Sequence, residues 1–285
     1  MRAPGARARS VSDRLQPVRF GPVTYLITGA ASGIGAATAE LLAERGDRVV
    51  IADINIGAAE EVANGLGPDT IALELDITSE RAWEVALDET VARFGILDVL
   101  VNNAGIVETG FARDVSVDRH QRTISTNFMG PLTGTLAALR RFRAQGHGHI
   151  VTVCSMTALL PFPGLASYAA SKHALRAFHH AVAIEERHSS IDFTIVHPTS
   201  TETPMLEQEA RDESSAFAFV TTSVSAASVA ETIVTAIDDK TDEVFMPPES
   251  AADIIKLGTR PDTLLAIFDG AEQFGLDAQR QRRSS

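Results

Sequence analysis

Cysteine occurs once in these 285 residues, tryptophan once, tyrosine twice and lysine three times. The single thiol, Cys154, excludes an internal disulfide and fits a reducing compartment, so the expected location is cytoplasmic. No apolar run reaches the roughly 18 residues of a membrane-spanning helix, which excludes a span. Basic residues are also scarce: 25 Lys and Arg face 37 Asp and Glu, a net charge of -12. Residues 1–20 hold five arginines against Asp13, so the rest of the chain is more acidic still. An acidic body argues against nucleic acid as a partner, because phosphate binding needs a basic face.

What is present organises into one α/β unit. Short apolar, β-branched runs at 23–28, 48–53, 70–75, 97–103, 149–155, 192–198 and 243–248 alternate with helical stretches. Helices are expected from about Gly33 to Glu44, through "GAAEEVANGL", from about Trp83 to Phe94, from about Val117 to Gln145, and around "SYAASKHAL" (167–175). Strands apolar nearly throughout are covered on both faces, and strand–helix alternation pairs them in parallel. The expected fold is a doubly wound, seven-stranded parallel sheet, a Rossmann fold, with ligands at the carboxyl ends of its strands. The reading divides the chain into a disordered basic leader (1–20), one catalytic domain (21–248) and a helical extension (249–285).

Two local patterns suggest chemistry. "TGAASGIG" (28–35) joins the first strand to the first helix, and such a glycine-rich turn offers backbone N–H groups to a phosphate. Gly29 permits the tight turn, Gly33 a close pyrophosphate, and Gly35 the packing of helix on sheet. A turn without a ligand is the alternative. Asp53 ends the second strand, where a carboxylate can accept hydrogen bonds from adenosine ribose hydroxyls and would repel a 2′-phosphate. With no basic residue among Ala30–Ser32 or next after Asp53, NAD is favoured over NADP. Asp53 could instead cap the next helix. In "SYAASK", Tyr168 and Lys172 share one helix face, and an ammonium there would lower the phenol's pKa.

Taken together, "TGAASGIG", "NNAG" (102–105) and "SYAASK" resemble the short-chain dehydrogenase/reductase family, over residues 23 to 248. The resemblance implies a hydride transfer between NAD and an apolar secondary alcohol or ketone, with Tyr168 as general acid/base. Ser155 would bind the substrate oxygen, Lys172 would tune Tyr168 and hold the nicotinamide ribose, and Asn127 would position a water. It also implies cofactor contacts at Gly29, Ser32, Gly33, Ile34, Gly35 and Asp53. Asp76 and Ile77 would bracket the adenine, Asn103, Ala104 and Gly105 would run beside the cofactor, and Thr201 and Thr203 would face the nicotinamide. One departure stands out in "HPTSTETPM": Thr199 replaces the family's glycine and Thr201 its valine. Rival readings are an NADP-linked reductase of 3-oxoacyl thioesters or other ketones, and a non-catalytic dinucleotide sensor.

Other features receive plainer readings. His173, His179, His180 and His188, with His147 and His149, are expected at the surface or a subunit contact, and Cys154 in the core. Phe162, Pro163 and Leu165 either line the substrate site or pack a loop. Residues 199–224 suggest a lid with an apolar underside. The family's habit implies a homodimer or homotetramer, and the tail after 248 either serves such an interface or packs on its own subunit.

Overall fold

A computed structural model describes residues 21–284, so the expected leader lies outside the described residues. Seven parallel strands form the main sheet: β1 (Thr24–Thr28), β2 (Arg48–Asp53), β3 (Thr70–Glu74), β4 (Val99–Asn102), β5 (Gly148–Val153), β6 (Ile191–Pro198) and, after a minor pair, β9 (Glu243–Met246). The minor pair is β7 (Thr201–Glu202) with β8 (Val224–Ser225). The order of the main sheet is β3-β2-β1-β4-β5-β6-β9. β2 and β3 therefore run outward on one side of β1, and β4, β5, β6 and β9 start again from its opposite side. That reversal opens a crevice at the carboxyl ends of β1 and β4.

Alternation along each strand divides the core in two. Leu26, Val50, Leu100 and Ile150 point to one face, onto α3 (Glu80–Phe94), α5 (Gly130–Gln145) and α6 (Ala166–Glu185), through Trp83, Phe142 and Val182. Tyr25, Ile27, Val101 and Val151 point to the other, onto α1 (Gly33–Glu44), α2 (Ile56–Leu66) and α8 (Ala226–Asp238), through Leu42, Ala59 and Ile233. Side chains start several helices: Asn55 caps α2 and Ser79 caps α3, each accepting an N–H of the first turn. Asn55 thus takes the capping role that was open to Asp53.

The expected helix 117–145 is interrupted. α4 (Val117–Ile124) passes through a π-helical turn, Ser125–Met129, into α5. A short α7 (Pro204–Glu209) follows β7, then a 3₁₀ segment, Glu213–Phe219. The chain closes with α9 (Ala251–Gly258) and α10 (Pro261–Ser284), the latter running well past the apolar stretch "DTLLAIFDGAEQF". Among the described residues no helix is long and apolar enough to cross a membrane.

The surface expectation fails for two histidines. His149 and His179 are buried, paired with Thr194 Oγ1 and Thr152 Oγ1, each at 2.9 Å. Burial in these hydroxyl-lined niches pushes both imidazoles down, to about 4 and about 3, which keeps them neutral. His197 behaves oppositely. Its Nδ1 lies 3.0 Å from the Ser155 carbonyl and its Nε2 2.9 Å from Glu243 Oε1, so both nitrogens face acceptors. Burial disfavours the charge, but hydrogen bonds with Cys154 and Glu243 outweigh it and lift the pKa to about 9. Glu243 also receives Arg176 at 2.8 Å.

A raised pKa stabilises the fold below the ordinary value of 6.5, and that stabilisation is lost as pH rises toward about 9. Glu243→Gln is expected to cost about 2 kcal/mol near neutral pH, as for a hydrogen bond to a charged group. Urea denaturation across this range should show a flatter alkaline decline in the variant; an equally steep decline would remove His197 from the account.

Candidate active site

The turn after β1 holds Gly29 at φ 63° and Gly33 at φ 56°, backbone that a side chain would strain. A Cβ on Gly35 would meet the Gly29 carbonyl at 2.5 Å, so helix and turn could not approach as they do. Ser32 precedes α1 in extended conformation without capping it by its side chain. The first turn of α1 is thus left at the cavity without a side-chain cap, which fits an anionic phosphate. Asn103, just beyond β4, ties the turn down: its Nδ2 donates to Thr28 O at 2.8 Å and Gly29 O at 3.1 Å. Thr28 Oγ1 in turn accepts the N–H groups of Asn103 and Ala104, both at 3.0 Å.

Asp53 closes the side of the turn. Its Oδ2 accepts Ala31 N–H at 3.1 Å and its Oδ1 accepts Asn55 N–H at 3.0 Å. The carboxylate is fixed by backbone donors and keeps lone pairs for a ligand hydroxyl. Asp76 is fixed similarly, by the N–H and hydroxyl of Thr78 at 2.9 and 2.7 Å. Ile77 gives its carbonyl to Trp83 Nε1 at 2.9 Å. All three line one cavity of about 820 Å³ with Ser32, Gly33, Ile34, Asn103, Ala104 and Gly105. Gly35 is absent from its wall, being packed under the turn. The cations lining the cavity, among the described residues, are Arg122, engaged by Glu108, and Lys172.

The same cavity reaches the ends of β5 and α6. Ser155 follows β5, and its Oγ accepts the N–H and the hydroxyl of Thr157 at 3.1 and 2.9 Å. It is also hydrogen-bonded to Tyr168. Tyr168 and Lys172 are both buried on α6, with Nζ 5.7 Å from the phenol ring centroid and 3.2 Å from the Val153 carbonyl. Asn127 is wholly buried in the π-helical turn. Its Oδ1 accepts Ile106 N–H at 2.8 Å and its Nδ2 donates to Ile106 O at 2.9 Å. A Cβ on Gly105 would stand 3.3 Å from Asn127 Oδ1 and 3.8 Å from Lys172 Nζ, so these three meet at one corner.

The expected lowering of the Tyr168 pKa is not what this geometry gives. Burial, reinforced by the charge of Glu209, pushes the phenol well above its ordinary range, and only the hydrogen bond with Ser155 pulls the other way. Burial also lowers the pKa of Lys172. Desolvation disfavours both charged forms.

Beyond β6 the altered segment is accommodated without glycine. Lys240 is the one non-glycine residue at positive φ among those described, so Thr199 lies in ordinary backbone, its N–H bonded to Met246 O at 3.1 Å. Thr201 and Thr203 direct their hydroxyls to the carbonyls two residues before them, at 2.9 and 3.1 Å. Thr203 abuts the phosphate turn: a Cβ on Gly33 would stand 3.0 Å from its Cγ2.

The far wall is apolar and comes from segments that sequence reasoning left ambiguous. Phe162, Phe217 and Phe268 form an aromatic cluster with ring centroids 4.5 to 6.4 Å apart, joined along the cavity by Leu264 and Ile267. Phe162 and Leu165 therefore line the site. The tail packs on its own chain, where Arg282 of α10 grips Glu202 and Glu207, each at 2.5 Å, and Arg280 and Arg283 grip Glu213. Cys154 lies in the core, packed on Ala158 and Ile195. Two residues escaped the sequence reading. His197 was signalled only by standing in the apolar run "TIVHP", and Glu209 only by being one acid among several in the lid.

Comparison with known proteins agrees with this architecture. Residues 24–214 match the family model for short chain dehydrogenases. The trans-4-hydroxycyclohexanecarboxylate dehydrogenase of Sinomonas cyclohexanicum is 39% identical over 189 residues, 63% of this chain and 73% of that protein. A 2,5-dichloro-2,5-cyclohexadiene-1,4-diol dehydrogenase of Sphingobium indicum is 34% identical over 187 residues, 63% of this chain and 73% of that protein. A short chain dehydrogenase/reductase from Burkholderia phymatum, solved in complex with NAD, superposes with a TM-score of 0.77 at 25% identity, covering 82% of this chain and 92% of that one. With a doubly wound sheet, a glycine turn at its switch point and two thirds of its length matched, the chain belongs to the short-chain dehydrogenase/reductase family.

Proposed function

We propose that the protein transfers hydride between NAD and an apolar, ring-containing secondary alcohol or ketone, with Tyr168 as general acid/base. One observation carries this reading: Ser155, Tyr168 and Lys172 line the cavity that begins at Gly29 and Asp53, with Asn127 directly behind its wall at Ile106 and Gly105. The nicotinamide, when bound, supplies the hydride acceptor or donor. Everything else is work for this chain. The Ser155 hydroxyl donates to the substrate oxygen, and Tyr168 removes or returns its proton. Lys172 holds positive charge beside the phenol, and Asn127 fixes the Ile106 backbone at the cavity wall.

NAD is preferred over NADP in this reading because Asp53 stands where a 2′-phosphate would lie. Its wall offers no unengaged cation there among the described residues. The phenylalanine-lined end supports an apolar substrate, and the two relatives named for cyclic hydroxy compounds support a ring. Met129, Leu136 and Ile184, left exposed on and beside α5 and α6, support self-association as a homo-oligomer. The single buried cysteine supports a cytoplasmic location.

Titrating wild type and Tyr168→Phe with NADH and NADPH, alongside oxidation of cyclohexanol and substituted cyclohexanols with NAD, tests the proposal. NADH is expected to bind about tenfold or more tightly than NADPH in both proteins, and Tyr168→Phe to lower kcat by about 10²–10⁴. Equal turnover by Tyr168→Phe would contradict the mechanism, and preference for NADPH would overturn the role of Asp53.

A further inference from the structure

Glu209, the last residue of α7, differs from the other acids of the lid. Glu202 and Glu207 are held by Arg282, Glu213 by Arg280 and Arg283, and Asp212 accepts the Ser214 N–H at 3.0 Å. Glu209 is turned inward instead. It is 8% exposed, it lines the cavity, and no hydrogen bond or ion pair from the described residues reaches its carboxylate. Its backbone is anchored, the carbonyl accepting Ser215 Oγ at 2.6 Å and Gln279 Nε2 of α10 at 3.0 Å. The backbone that carries the carboxyl group is thus fixed at the contact between lid and tail.

An unpartnered carboxyl in an apolar cavity is costly to keep, and a ligand that satisfied it would recover that cost. We infer that Glu209 is a specificity residue that binds a second hydroxyl of the substrate, while the reacting carbinol lies at Tyr168. The inference rests on the reaction proposed for Tyr168.

The neighbours favour a hydroxyl over other groups. Burial alone raises the carboxyl to about 7, so both protonation states exist near neutral pH. A hydroxyl can donate to the carboxylate and can also accept from the acid, whereas an ammonium only donates and a carbonyl only accepts. A substrate carboxylate would meet repulsion from the ionised form. Of the titratable groups around it, Tyr168 on α6 feels its charge, with Lys172 and Cys154 behind that phenol. On α7 and the 3₁₀ segment, Glu207, Asp212 and Glu213 are engaged as described, and on α10 so are Arg280, Arg282 and Arg283.

The test is calorimetric titration of the NADH-saturated protein at about pH 8 with cyclohexanol and with the cis and trans isomers of 1,3- and 1,4-cyclohexanediol. NADH prevents alcohol oxidation, so binding is read without turnover. At least one diol is expected to bind about tenfold more tightly than cyclohexanol, the worth of one hydrogen bond to an ionised group. In Glu209→Met the diols and cyclohexanol should agree within about twofold. Diols that bind no better than cyclohexanol in the wild type, including no binding of either, would overturn the inference, as would a preference that persists in Glu209→Met. Should that variant not fold, Glu209→Gln decides. Its diol preference should stay constant between about pH 6 and 8.5, where the wild type's rises, and a rise like the wild type's would overturn the inference. Oxidation of cyclohexanol without any diol preference would remove Glu209 from recognition and leave the reaction at Tyr168 standing. A diol preference in a protein without turnover would do the reverse.

Discussion

The site is organised around the withdrawal of water from Tyr168 and Lys172. An ammonium and a titratable phenol are buried side by side on one face of α6, beneath the end of β5. In that setting the phenol is held protonated and the ammonium is weakened, because burial penalises the charged form of each. The phenol is thus poised rather than already ionised. The hydrogen bond from Ser155 already favours the phenolate, and a positively charged nicotinamide is the addition that would make it accessible at working pH.

Much of the surrounding structure holds that corner rigid. His197, charged between the Ser155 carbonyl and Glu243, clamps the strand end from which Ser155 projects. The π-helical turn lets Asn127 reach back to Ile106, beside Gly105 and Lys172. The glycine turn is pinned to β4 through Asn103, so the two halves of the crevice share one framework. On the open side, the tail serves as the outer wall. α10 buries Leu264 and Gln279 against the lid and ties it with three arginines, which leaves Glu209 facing inward. The family model ends at residue 214, so α10 lies beyond the segment it matches.

The sheet was legible because its strands are apolar nearly throughout and punctuated by Gly and Asn. β2 and α1 have the limits that pattern predicts, and the other main strands agree within about two residues, Asn103 standing just past the end of β4. The motif residues were legible because turn geometry demands glycine at 29 and 33 and helical spacing pairs 168 with 172. The sign of the Tyr168 shift was not legible. Spacing reports which groups are close, but only the folded cavity reports how much water they lose. For the same reason His149 and His179 read as surface residues, although hydroxyls from other strands and helices give them buried partners. The helical tail was legible, but not its packing on its own chain, because the arginines at the end of α10 pair with acids 67 or more positions away, and hydropathy carries no trace of such pairings.

Ionisation of Tyr168 itself tests the central claim most directly. Tyr25→Phe leaves Tyr168 as the only tyrosine, so tyrosinate absorbance during a pH titration reports one group. Without cofactor, ionisation is predicted only above the ordinary value of about 10, and with saturating NAD the transition should move down. Ionisation at or below that ordinary value in the cofactor-free protein would mean that the Lys172 ammonium outweighs burial, and would contradict the account.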